Sequence, residues 1–291
     1  MYFDRPALKA EARQAMRSTR PRPMLVTLLY LLLTTGLSTL VGMIITDPIV
    51  LFTQLTEQGL NPGNALLVAL SDIGPVGLFL HLMVALFGTV LSFGYSRWAL
   101  NSSRGEKASV SDLVHGFSIV GKVLGLNILI AVYSLLWALF LLMAGQLILL
   151  VIIWIPLLNI PAAFALFFCG VAFYLTRVLR YSMAFYCLLD DPALSVFQAL
   201  RHSVLLMQGQ VKHFFFLQLS FIGWYLLSAL VGIVASAAYL SIPMGGGIVA
   251  GIILLSSLPL DMWLRIYTTF TWCRFYDRLP HTQSHTSPFE L

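Results

Sequence analysis

Across residues 190–240 the apolar positions change rhythm once, and each half predicts a different element. In the first half Leu194, Phe197, Val204 and Leu205 recur at helical spacing beside Arg201 and His202, the pattern of an amphipathic surface helix. Asp191-Pro192 supplies a start signal, a carboxylate at the cap and a proline where a missing N–H costs nothing, and Gly209 supplies the stop. In the second half the periodicity vanishes, and no charged residue occurs from Phe214 to Leu240. At about 1.5 Å per residue such a run crosses a bilayer core of about 30 Å. The unit is a basic surface helix feeding a membrane-spanning helix.

The same alternation runs through the whole chain. In residues 1–22 Lys9, Arg13 and Arg17 form one stripe and Leu8, Ala12 and Met16 the adjacent one, predicting an amphipathic helix on the inner membrane surface. Pro21 and Pro23 end it, and a first span covers about 24–45. Residues 47–72 predict short interfacial helices flanking an Asn61-Pro62-Gly63 turn, and a second span covers about 75–100. Ser109 or Ser111 caps a short helix with Leu113, Val114 and Phe117 on one face, before a third span at about 123–143. Residues 146–159, interrupted by Pro156, predict an outer hairpin that is either plain or re-entrant. A fourth span follows at about 162–188, the fifth at 214–240, and the sixth at about 248–272 beyond a glycine-rich turn.

The predicted fold class is therefore an all-α integral membrane protein of about six transmembrane helices. They read as three parallel repeats (about 6–102, 109–189 and 191–278) of an amphipathic inner-surface helix plus a transmembrane hairpin. Met24, Val123 and Phe214 open spans roughly 90–100 residues apart, and Arg97-Trp98, Arg180-Tyr181 and Arg265-Ile266-Tyr267 mark the inner ends of the returning spans. An even number of spans per unit makes the copies parallel, unlike the inverted repeats of many secondary transporters. Residues 1–279 form one transmembrane domain, and 280–291 read as a disordered cytoplasmic tail.

Composition agrees with the pattern. The chain is 59% hydrophobic and only 10% charged, where an average soluble domain has about 25% charged residues. Its net charge of +5 does not argue for nucleic acid, because the basic residues flank apolar spans, where they set topology and meet anionic lipid headgroups. With both termini cytoplasmic, every Lys and Arg falls on the inner side or at an inner span end, and the outer loops hold only Asp47, Glu57 and Asp72. Cys169, Cys187 and Cys273 lack metal-type spacing and read as free reduced thiols.

Few residues suggest chemistry. Asp261 and Arg265 stand four apart on the sixth span and share a face, with Pro259 placed to kink the helix just before them. Charges at membrane depth cost about 2.5–3.5 kcal/mol each on insertion scales and face a bundle interior or wet cavity. The pair reads either as a ligand or ion site or as an intrahelical salt bridge near the interface. Arg177 and Arg180 either join it as a basic cluster or snorkel to the interface. Lys9, Arg13, Arg17 and Arg201 are the membrane-surface basic residues. His81 reads as a packing residue, and Asn127 and Gln218 as interhelical hydrogen-bond partners. No phosphate-binding glycine loop, HExxH, nucleophile elbow or paired carboxylates within a span occur, so nothing supports catalysis, a metal or a cofactor.

Several stretches together resemble domain-of-unknown-function family 975: residues 8–15 (LKAEARQA), Phe93-Gly94-Tyr95 followed by Arg104-Gly105-Glu106, Asp112-Leu113 with Gly116-Phe117, and Tyr181 through Asp191-Pro192 to residues 199–203. More distantly the chain is similar to the membrane domain attached to some glycerophosphodiester phosphodiesterases, without their catalytic domain. The resemblance implies a bacterial plasma-membrane protein of about six spans and brings no activity or site residues. Two functional expectations follow. One is transport or lipid handling through a cytoplasm-facing intramembrane cavity. The other is a non-transporting scaffold or accessory subunit that docks a protein partner, a second copy or anionic lipid.

Overall fold

In a computed structural model, residues 5–44, 48–152, 156–241 and 246–280 are described, and every regular element among them is helical. Helix α1 is Arg5–Ser18. Helix α2 (Pro23–Leu31) passes through a π turn (Leu32–Gly36) into α3 (Leu37–Ile44). Helix α4 (Pro48–Glu57) precedes α5 (Pro62–Arg104), which opens with Asn61 accepting the Gly63 amide hydrogen bond at 2.9 Å. Gly74, at φ 64°, breaks α5 just before Pro75, where only glycine adopts that backbone without strain. A 3₁₀ segment (Val110–Ile119) leads into α6 (Val120–Ile152), followed by α7 (Pro156–Val178) and α8 (Ala184–Asp190). Helices α9 (Val196–Leu206), α10 (Val211–Leu219), α11 (Ile222–Ser241) and α12 (Gly246–Asp277) complete the chain.

Four helices among the described residues are long and apolar enough to cross a membrane: Pro23–Gly42, Gly74–Arg104, Val110–Ile148 and Ala163–Asp190. A fifth is added if α10 and α11, bent by 41°, count as one broken span. None of the most apolar stretch of Val110–Ile148 is buried, and Leu136, Phe140, Leu142, Phe168 and Leu226 are largely exposed. Apolar helix surface on this scale needs lipid around it. The count among the described residues is lower than the six expected. Residues 214–240 do not form one straight span, and α12, which carries Pro259, Asp261 and Arg265 along its length, is not among the four.

The buried core sits at one end of the bundle. There Arg104, at the C-terminus of α5, hydrogen-bonds both Asp190 at the end of α8 and Asp277 at the end of α12. Above this layer Trp98 packs on Phe270 (5.8 Å between centroids), Tyr30 stacks on Tyr95 (4.7 Å) and Phe221 meets Tyr267 edge-on. Helix α1 is held there too. Its buried residues Leu8, Ala12 and Ala15 join the core against α12 and α5, and Glu11 pairs with Arg278. The apolar stripe expected to face lipid is thus spent on protein.

Two glycines bring the 3₁₀ segment onto α5. A Cβ at Gly94 would lie 2.0 Å from the Leu113 carbonyl oxygen, and one at Gly116 would lie 2.6 Å from that of Val90. The contact is reciprocal, each glycine admitting backbone from the other element. The segment's buried residues are Leu113 and Gly116, while the expected face members Val114 and Phe117 point outward. The three-residue 3₁₀ turn places positions i and i+3 on one side.

Other expectations shift locally. Helix α9 starts later than Asp191-Pro192 implied. Ser195 caps it, with Gln198 closing a capping box, and Asp191 instead accepts the Ala193 amide in a turn. Its buried face is Ala199, Leu200 and Ser203, whereas Phe197 is 67% exposed. Helix α6 continues to Ile152 through the first half of the expected outer hairpin and α7 begins at Pro156, while residues 153–155 lie outside the described residues, as do Asp47, the glycine-rich turn expected at 242–245 and the tail from 281. The three cysteines are free.

Candidate functional site

Within the spanning region, small side chains recur along one face of α5: Ala85, Gly88, Thr89, Ser92 and Ser96. Their three- and four-residue spacing stacks them on a single stripe. Tyr30 and Thr34 of the first span, Phe93 of α5 itself and Phe185 of α8 line the same space. The result is a cavity of about 380 Å³ completed by Asn127 of α6.

Its lining mixes apolar side chains with uncharged polar ones. Thr34, Thr89 and Ser96 each donate to the carbonyl four residues back, at 2.8 to 2.9 Å, which leaves their oxygen lone pairs as acceptors. Ser92 and the Asn127 carboxamide form no side-chain hydrogen bond among the described residues, so both donors and acceptors remain for an occupant. The Tyr30 hydroxyl accepts from Arg265 Nη1 at 3.5 Å, and the guanidinium lies 5.3 Å from the Tyr30 ring centroid. A cation therefore stands behind one wall without lining the void.

The four residues expected to form a ligand site are not brought together. Asp261 and Arg265 share a face of α12, yet they do not pair. Asp261 accepts hydrogen bonds from Ser228 of α11 and from Ser257, while Arg265 turns to Tyr30. Arg177 lies over the Trp137 and Phe173 rings at 4.7 and 4.8 Å, and the Arg180 carbonyl accepts from Ser203. Asp261, Arg265 and Arg177 have each found a hydroxyl or aromatic partner, whereas the Arg180 Nε is buried with no hydrogen-bond partner among the described residues. His81 bonds the Gly77 carbonyl one turn back on its own helix, at 2.9 Å. Gln218 stands on α10, away from the cavity. Of the two expected interhelical partners only Asn127 reaches the lining.

At the charged end Arg104 donates to Asp190 at 2.7 and 3.1 Å and to Asp277 at 2.9 and 2.7 Å, and Tyr276 donates to Asp190 at 2.9 Å. Arg97 faces Asp112 at 3.6 Å, and Lys122 donates to the Pro192 carbonyl at 2.6 Å. Of the surface basic residues, Arg17 and Arg201 are exposed without an ion pair among the described residues. Lys9 and Arg13 instead lie against α10–α12, where Lys9 donates to the Ser220 carbonyl and Arg13 to the Tyr267 hydroxyl.

Two sequence features recur with one spacing. Tyr95-Ser96, Tyr181-Ser182 and Tyr267-Thr268 stand 86 residues apart in both intervals, and each lies near the charged end of its helix. The capping boxes of Ser109 and Ser195 are separated by the same 86 residues.

No curated protein and no solved structure matches the chain, so neither supplies a function or supports the more distant likeness to phosphodiesterase membrane domains. One family does match, over residues 1–283, and its reach takes in both the glycine-locked 3₁₀ segment and the helices around the cavity. The chain belongs to the family described as protein of unknown function (DUF975).

Proposed function

We propose that this protein handles an amphiphile inside the membrane, holding the amphiphile's polar group in the cavity between the first span, α5, α6 and α8. The observation that carries the reading is the gathering of Tyr30, Thr34, Thr89, Ser92, Ser96 and Asn127 around about 380 Å³ of space within helices apolar enough to span a bilayer. Polar groups facing hydrocarbon without a partner are costly, so such a void holds water or a polar ligand. With no carboxylate or cation in the lining, the selected group is uncharged and rich in hydrogen bonds: a hydroxyl-, amide- or sugar-bearing headgroup.

In this reading α10–α11 is one broken crossing and α12 the last, giving six crossings with both termini on the cytoplasmic face of a bacterial plasma membrane. The joined ends of α5, α8 and α12 and the basic residues gathered there support that orientation. The 86-residue recurrence of the tyrosine motif and of the capping boxes supports three parallel repeats.

The test is to fill the cavity. Protein purified in mild detergent is extracted with organic solvent, and the amphiphile recovered per chain is quantified by mass spectrometry. Ser92→Leu with Ser96→Leu should lower recovery about tenfold, the equivalent of one or two lost hydrogen bonds, with the unfolding midpoint preserved. Equal recovery from a folded, filled variant overturns the proposal.

A further inference from the structure

A second site lies at the charged end, away from the cavity. Arg5, Lys9 and Arg13 recur every four residues on α1 and so share one face. With Pro6, Ala10 and Ser220 they line an open pocket of about 530 Å³ beside the break between α10 and α11. Each cation is seated on an aromatic ring: Arg5 on Phe216 at 5.5 Å, Lys9 on Phe221 at 4.3 Å and Arg13 on Tyr267 at 5.2 Å. These seats fix the positions of three like charges while leaving N–H donors unused. Arg13 spends only Nε, on the Tyr267 hydroxyl at 3.0 Å.

Among the described residues no carboxylate balances them. The acid on α1, Glu11, is engaged by Arg278. Helices α10 and α11 carry no Asp or Glu, and Asp261 on α12 is held by Ser228 and Ser257. Burial, and then the positive charges of Arg13 and Arg5, hold the Lys9 ammonium below its usual range. Three cations in one small pocket, without a counter-charge among the described residues, call for an anion.

We infer that this pocket binds a phosphate group, the three basic side chains and Ser220 surrounding it as they would a phospholipid headgroup or a free phosphate ester. A lipid source is favoured by Phe216, Leu219 and Ile222, which are exposed beside the pocket and offer an apolar path for acyl chains. The site is independent of the cavity.

The experiment is native mass spectrometry of the full chain in detergent, titrated with dioleoyl phosphatidylglycerol or phosphate-free dioleoylglycerol, with glycerol phosphate as soluble competitor. Phosphatidylglycerol should bind about tenfold more tightly than dioleoylglycerol, and Lys9→Gln with Arg13→Gln should remove the difference. Lys9→Arg should keep it, as should Arg201→Gln. Ser220→Glu should remove it while raising the unfolding midpoint, because an internal carboxylate then occupies the anion's place; a merely structural role for Ser220 produces neither effect. Displacement by glycerol phosphate assigns the site to the phosphate ester itself, and resistance to displacement assigns it to the intact lipid. Should the double variant fail to fold, Arg5→Gln is read instead, with about a threefold loss. Equal binding of the two lipids, or a preference that survives in the folded variants, overturns the inference.

Discussion

Arg104 is the residue whose removal should loosen the bundle most for the fewest atoms lost. Its guanidinium is shared between carboxylates from two other helices, donating to Asp190 through Nη1 and Nη2 and to Asp277 through Nε and Nη2. Charge-assisted hydrogen bonds contribute about 1.5–3 kcal/mol each when shielded. Here the three side chains are 28%, 33% and 21% exposed, so solvent screening reduces that range. Truncation also leaves two carboxylates facing each other across the vacated space. Arg104→Ala should therefore cost about 3 kcal/mol, which at about 2 °C per kcal/mol for a chain of this size lowers the unfolding midpoint by about 6 °C. Arg104→Lys should lose about half as much, since one ammonium cannot reproduce the fork that spans both acids. Adding Asp277→Asn to Arg104→Ala should restore part of the loss by removing the repulsion. Intrinsic tryptophan fluorescence during a thermal ramp in detergent reads all three variants. A midpoint for Arg104→Ala within about 1 °C of wild type would refute the account of this node.

Two further predictions concern packing and the separated charges. Gly94→Ala should prevent the 3₁₀ segment from docking, because the new methyl meets backbone at 2.0 Å, while Gly116→Ala, at 2.6 Å, should be the milder of the two. Limited proteolysis between residues 105 and 120 would show both, and equal resistance in both variants and wild type would contradict the contact. Asp261→Asn and Arg265→Gln should be additive in thermal unfolding, with a coupling below about 0.5 kcal/mol, because their side chains bond to different helices. A coupling above about 1 kcal/mol would restore the ion pair that their spacing suggests.

What was legible in the sequence had local causes. The Asn61-Pro62 start of α5, the break before Pro75 and the 3₁₀ cap at Ser109 each depend on residues adjacent in the chain. What was missed depended on neighbours distant in it. Lipid and protein core accept the same apolar side chains, so the hydrophobic pattern of α9 could not tell that Phe197 points outward and Ala199 inward. Neither proline nor glycine marks the break at Ser220-Phe221. Asp261 and Arg265 had the right spacing to pair, but Ser228 and Tyr30 arrive from other helices and take them. The cavity left a faint trace in the small-residue stripe of α5, while its depth is set by Tyr30, Asn127 and Phe185, which only the fold brings alongside.

The measurement closest to the central claim is a density map of the protein in lipid nanodiscs, read at the cavity between the first span, α5, α6 and α8. The account predicts elongated density entering from the bilayer, its polar end within hydrogen-bonding distance of Ser92 and Asn127. A cavity closed by its own side chains, or filled by a helix from a second copy or a partner protein, would contradict it and make the small-residue stripe a docking surface.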